Sequence, residues 1–213
     1  MSVCKIKEFS WTQFHETPIV GILRGIDEAT LNRIIPIYIQ AGLSTIEVTL
    51  NTPNALEFIQ KLIALYPDLN VGAGTVCNES DLEKALEAGS QFIVTPIVDQ
   101  AVISKCKKLG VPIFVGALTP TEIYTAWTAG ASAVKIFPCS QFGANYIKDI
   151  KAPLNEIKVL PTGGVDSNNI QSFFKAGAYG VGMGGSLFPK DLLAEGQEEK
   201  LLSHFMKLKS TFQ

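Results

Sequence analysis

The sequence predicts an α/β fold of the (β/α)8 TIM barrel class: one parallel eight-stranded barrel domain over residues 1–213, with a short N-terminal extension. Three observations carry this. The dipeptide Ala-Gly recurs at 41, 88, 129 and 176, spacings of 47, 41 and 47 residues, and each copy precedes a strand-like run. Gly just past a helix end adopts a left-handed conformation without steric penalty, so each copy reads as a helix stop followed by a strand. Three further apolar runs lie between these and a fourth precedes them, and the intervening segments carry helix starts.

In chain order, "PIVGIL" (18–23) is the first strand, and "TLNRIIPIYIQAG" after it has helical periodicity that Pro36 should kink. "TIEVTL" (45–50) and "NVGAG" (70–74) are the second and third strands. "SDLEKALEAG" then places Leu82, Ala85 and Leu86 on one helix face, and "FIVTP" (92–96) is the fourth strand. Asp99 caps the next helix, and "PIFVG" (112–116) follows it. "TPTE" combines a Thr119 cap, Pro120 in the first turn and Glu122 completing a capping box. "AVKIF" (133–137), closed by Pro138, "KVLP" (158–161) and "AYGVGMG" (178–184) complete the eight, with Asp166 read as a cap between the last two. A doubly wound open sheet is the alternative, but it normally has fewer strands, and the first turn, "LRGID", lacks G-x-G-x-x-G.

Composition excludes several function classes. With 46% hydrophobic residues and mean hydropathy +0.22, a substantial core can be buried. A net charge of −2 and pI near 5.7 argue against a nucleic-acid partner. No apolar run reaches the ~18 residues of a membrane span, and the start lacks the apolar stretch of a signal peptide. The expectation is a soluble cytoplasmic protein. Cys4, Cys77, Cys106 and Cys139 form no C-x-x-C pair and read as reduced, buried thiols; His15 and His204 form no ligand motif, so no metal is expected.

Alternation along the strands points to chemistry. In "TIEVTL", Ile46, Val48 and Leu50 face the helices, leaving Thr45, Glu47 and Thr49 inward; in "AVKIF", Lys135 points inward with Ala133 and Phe137. Arg24 and Thr75 end the first and third strands. A carboxylate, an amine and a guanidinium thus meet at the strand ends, where such barrels build active sites. Glu47 and Lys135 could be a merely structural buried ion pair. The sharper reading is Schiff-base chemistry: a desolvated amine attacks a carbonyl, and a nearby carboxylate moves protons. The glycine turns "PTGGV" (161–165) and "GMGGSLF" (182–188) are either tight turns or, after strands seven and eight, the phosphate site common in this fold.

From "PIVGILRGI" to "GGSLF", with "EVTL", "VGAGTV", "KIFP" and "PTGGV" in order, the chain resembles the 2-keto-3-deoxy-6-phosphogluconate aldolase family. The resemblance implies a metal-independent, cofactor-free class I aldolase assembled as a homotrimer. It would cleave its phosphorylated keto acid to pyruvate and glyceraldehyde 3-phosphate, and 4-hydroxy-2-oxoglutarate to pyruvate and glyoxylate. It further implies Lys135 as the Schiff-base lysine, Glu47 as acid/base, and Arg24 and Thr75 on the pyruvyl carboxylate with Pro96 and Phe137 shaping that pocket. Thr162 would contact the hydroxylated chain, and Gly163, Gly164, Gly184 and Ser186 would form the phosphate loops. Some members carry an arginine at the position of Asn51, so carboxylate binding here would rest on Arg24. "ILRG" and "LNTP" also resemble the sister aldolase for the phosphogalactonate epimer, whereas Thr162 in "PTGG" resembles the gluconate enzymes and sets the gluconate epimer as the expectation. A metal-dependent phosphosugar epimerase would need histidines that residues 16–203 lack; a non-catalytic phosphosugar-binding barrel would not need both Glu47 and Lys135.

Overall fold

Each Ala-Gly pair stops a helix as expected: Gly42, Gly89, Gly130 and Gly177 all have positive φ, between +77° and +118°. The structure, a computed structural model, describes residues 8–212. Its strands are β1 (Ile19–Leu23), β2 (Thr45–Thr49), β3 (Asn70–Gly74), β4 (Ile93–Val94), β5 (Ile113–Ala117), β6 (Ala133–Ile136), β7 (Val159–Pro161) and β8 (Val181–Met183). All pair in parallel, in the order β7-β6-β5-β4-β3-β2-β1-β8, and a parallel bridge between Thr162 and Gly182 brings the two ends together. The result is a nearly closed (β/α)8 barrel.

Helices α1 (Trp11–Glu16), α2 (Glu28–Gln40), α3 (Ala55–Leu65), α4 (Glu79–Glu87), α5 (Gln100–Leu109), α6 (Pro120–Ala129), α7 (Gly143–Lys151), α8 (Ile170–Lys175) and α9 (Glu198–Lys209) complete the chain. None is long and apolar enough to cross a membrane. Asp99 accepts from the Val102 N–H at the start of α5, and Thr119 with Glu122 forms the full capping box of α6. Helix α2 runs on through Pro36, which is on the exposed face, where water can take the carbonyl its missing N–H leaves free. One expectation is corrected. Asp166 does not cap α8 directly; it accepts from the Asn168 and Asn169 N–H groups, in the turn before the helix begins.

Strand alternation divides the interior into two apolar regions. Ile46, Val48, Val134 and Ile136 pack outward against the helices. Inside the barrel, Val20, Phe92, Val94, Phe114, Ala133 and Leu160 form a second cluster, closed from below by Phe9 and Phe14. The Asn70 side chain holds this N-terminal segment, accepting from the Ser10 N–H (2.8 Å) and donating to the Ser10 carbonyl (3.0 Å). The extension is therefore a plug for the lower barrel. Cys106 and Cys139 are buried thiols that burial pushes up to about 12 and about 11, so both stay protonated; Cys4 lies outside the described residues.

Candidate active site

Above the aromatic plug the interior changes character. In register, Ile22 of β1 neighbours Glu47 of β2, which neighbours Gly72 of β3, while Gly116 of β5 neighbours Lys135 of β6. Glycine at this level makes room for the Glu47 side chain and for the backbone after β4. A Cβ on Gly74 would come within 2.6 Å of Glu47 Oε1, and one on Gly116 within 2.4 Å of the Pro96 carbonyl carbon.

Lys135 and Glu47 are 4% and 1% exposed, and Lys135 Nζ stands 5.0 Å from the centroid of the Phe137 ring. No ion pair within 4.0 Å joins Glu47 to Lys135 among the described residues, so the direct ion-pair reading does not describe them. Glu47 Oε1 is buried without a hydrogen-bond partner. Burial raises the Glu47 pKa, while the positive charges of Lys135 and Arg24 pull it down less strongly. A buried carboxylate that holds its proton more tightly than usual, close to an amine, suits proton transfer better than structural support.

A cavity of about 590 Å³ opens above this layer at the C-terminal ends of the strands. Arg24, Lys135, Phe137, Thr162, Gly163, Gly164, Gly184 and Ser186 all line it. Glu47, Thr75 and Pro96 do not. Glu47 is sealed beneath, in reach of the charges of Lys135 and Arg24. Pro96 follows β4, its backbone against Gly116 and thus one strand from Lys135. Thr75 follows β3 with φ +61°, a left-handed conformation costly for a β-branched residue and of a kind that clusters at functional sites.

The two glycine turns form the far wall. Gly163 and Gly164 have φ of +92° and +76°, and a side chain on Gly164 would strike the Ser140 backbone at 2.7 Å. The turns are tied together: Ser186 Oγ donates to the Val165 carbonyl (2.5 Å), Asn169 Nδ2 to the Gly164 carbonyl (2.7 Å), and His204 Nε2 to the Ser186 carbonyl (3.0 Å). Among the described residues no intramolecular acceptor takes the N–H of Gly164, Gly185 or Ser186. Free N–H groups on a fixed glycine frame can cradle an anion. Sequence reasoning missed Lys190, a cation on the cavity wall, and His204 behind the frame. Lys190 follows the second turn directly in "GGSLFPK" and could have been flagged; nothing in the sequence connects His204 to a loop eighteen residues earlier.

With this geometry in place, the comparisons with known proteins are specific. A family model described as KDPG and KHG aldolase matches residues 12–203. The 2-dehydro-3-deoxy-6-phosphogalactonate aldolase of Escherichia coli (strain K12) is 39% identical over 175 residues, 80% of this chain and 84% of that protein. The 2-dehydro-3-deoxy-phosphogluconate aldolase of Haemophilus influenzae is 34% identical over 155 residues, 72% of this chain and 73% of its own. A solved structure described as native KDPGal superposes with a TM-score of 0.83 at 32% identity, covering 97% of both chains. The match spans the barrel from α1 into α9, and the chain belongs to the KDPG and KHG aldolase family.

Proposed function

We propose that this chain is a class I aldolase that cleaves a 2-keto-3-deoxy-6-phospho sugar acid to pyruvate and glyceraldehyde 3-phosphate through a Schiff base on Lys135, and that it also accepts 4-hydroxy-2-oxoglutarate. The observation that carries this is an inward, buried Lys135 at the cavity with the unpartnered Oε1 of Glu47 beneath, opposite a far wall that presents free backbone N–H groups.

In this reading Arg24 and the strained Thr75 turn hold the substrate carboxylate, with Phe137 and Pro96 shaping the pocket around C2. The Lys135 amine attacks the C2 carbonyl, and the carbinolamine loses water to give an iminium. Glu47, directly or through a water, takes the C4 hydroxyl proton. The C3–C4 bond breaks, its electrons move into the iminium to leave an enamine, and the aldehyde departs. Protonation at C3 and hydrolysis release pyruvate and the free lysine. Gly163, Gly164, Gly184 and Ser186 take the phosphate, with Lys190 adding charge. Borohydride reduction with pyruvate, followed by peptide mass spectrometry, tests this: an adduct on Lys135 is expected, and an adduct elsewhere, or none, refutes it.

Two lines of argument bear on the C4 epimer. The 39% and 30% identical relatives are a phosphogalactonate aldolase and a probable one, while the 34% relative acts on the gluconate form. We therefore place the galactonate epimer first and revise the expectation from "PTGG". Thr162 carries the second reading: it is buried on the cavity wall beside the phosphate frame, its hydroxyl donating to the Leu160 carbonyl at 3.3 Å. Thr162→Val, close in volume but without the hydroxyl, is expected to shift the kcat/KM ratio toward the galactonate epimer by roughly tenfold or more. Assay of both epimers in both proteins checks this, and an unchanged ratio means that Thr162 does not read C4.

Among the described residues no three His, Cys, Asp or Glu side chains are grouped to hold a metal ion. The iminium supplies the electron sink in this mechanism, so activity is expected to survive exhaustive EDTA dialysis. Loss that a divalent cation restores would move the protein to a metal-dependent mechanism. The homotrimer belongs to the same proposal, and exposed Ile97, Tyr124 and Phe142 offer apolar surface for it.

A further inference from the structure

Arg24 enters the cavity from the short turn between β1 and α2, and its own side chain makes no hydrogen bond or ion pair among the described residues. The backbone on each side of it is held by two buried threonines that follow Glu47 in the chain. Gly25, directly after Arg24, has φ +64°, and its N–H donates to Thr52 Oγ1 at 3.0 Å. Thr52 Oγ1 lies 3.1 Å from Thr49 Oγ1, which donates to the carbonyl of Leu23, directly before Arg24, at 3.4 Å. Donor directions are thereby fixed. Gly25 N–H donates to Thr52, Thr52 O–H to Thr49, and Thr49 O–H to Leu23, so each hydroxyl gives one bond and takes one. The Thr52 N–H to Thr49 carbonyl bond, at 2.8 Å, keeps the two hydroxyls together.

We propose that Thr52, acting through Thr49, is a positioning residue that clamps the turn on both sides of Arg24 and so fixes the guanidinium where the substrate carboxylate binds. This rests on the reading of Arg24 as the carboxylate ligand. The relay has features that general packing does not require. Both threonines are at most 3% exposed, their bonds converge on the two residues flanking one exposed cation, and Gly25 N–H has no other acceptor. A cation on a long flexible side chain binds well only when its base is held still, so a loosened turn weakens carboxylate capture before it touches bond cleavage.

The test is a double-mutant cycle in the condensation of pyruvate with glyceraldehyde 3-phosphate. Thr52→Val deprives Gly25 N–H and Thr49 Oγ1 of their partner and is expected to raise KM for pyruvate roughly tenfold, with a smaller change in kcat. Thr52→Ser is expected to restore most of it. Arg24→Ala is expected to raise the same KM roughly tenfold to a hundredfold, and adding Thr52→Val to it should cost nothing more, because the two act as one unit. If Thr52→Val folds poorly, Thr52→Ala in the same cycle reads the same coupling. Additive losses, or no rescue by serine, overturn the inference while leaving Arg24 as the ligand. An unchanged KM in Arg24→Ala overturns the carboxylate reading itself, and the clamp with it.

Discussion

Lys135→Arg is expected to abolish carbon–carbon cleavage, by roughly 10⁴-fold or more, while leaving the barrel folded. Arginine keeps the positive charge but cannot form an imine at neutral pH, so the variant separates nucleophilicity from charge. The position tolerates a long side chain, because residue 135 lines the cavity and its head group has space there. A circular dichroism melt close to the wild type would show that the loss is chemical. Pyruvate trapping with borohydride should fail in the same protein. Turnover near the wild-type level, or a trapped adduct on another lysine, would end the Schiff-base reading.

The barrel was legible because its periodicity is simple. Ala-Gly stops set the helix ends, and a period of two along β2 and β6 sorted Glu47 and Lys135 from Ile46, Val48, Val134 and Ile136. What stayed hidden depends on contacts distant in sequence. Phe9 and Phe14 sit among charged residues, and only the closed barrel shows that they meet Phe92 and Phe114. Asn70 reads as an ordinary strand-edge residue, yet it grips Ser10 sixty positions away. Pro36 breaks helices on average, but its cost depends on which face the freed carbonyl meets. Thr75 could be placed at a strand end, but not given its positive φ. Thr52 carried no signal of its own, because its hydroxyl matters only through Gly25 and Thr49.

Glu47→Gln is the complementary experiment, and its expected effect on activity is a loss of roughly 10²–10⁴-fold. Glutamine matches the carboxylate in shape but cannot take the C4 hydroxyl proton. The pH dependence follows from the direction of the Glu47 shift. Burial, outweighing Lys135 and Arg24, raises the pKa, so the acid limb of the wild-type kcat profile should lie above the ordinary carboxylate value. Activity falls as pH drops through that raised value, because only the ionised form accepts a proton. The limb should vanish in Glu47→Gln. Stability should move the other way. The folded protein holds this proton more tightly than the unfolded chain, so stability is lost as pH rises from the unfolded value through the raised folded one, and the cost persists at neutral pH. Removing the ionisable group removes that cost, and thermal melts of Glu47→Gln at neutral pH should give a Tm at or above the wild type. Activity within tenfold of the wild type, or an acid limb unmoved by the amide, would place the proton transfer on another group. A fall in Tm would mean that the carboxylate supports the fold, and the case for a site held ready at the expense of stability would fail.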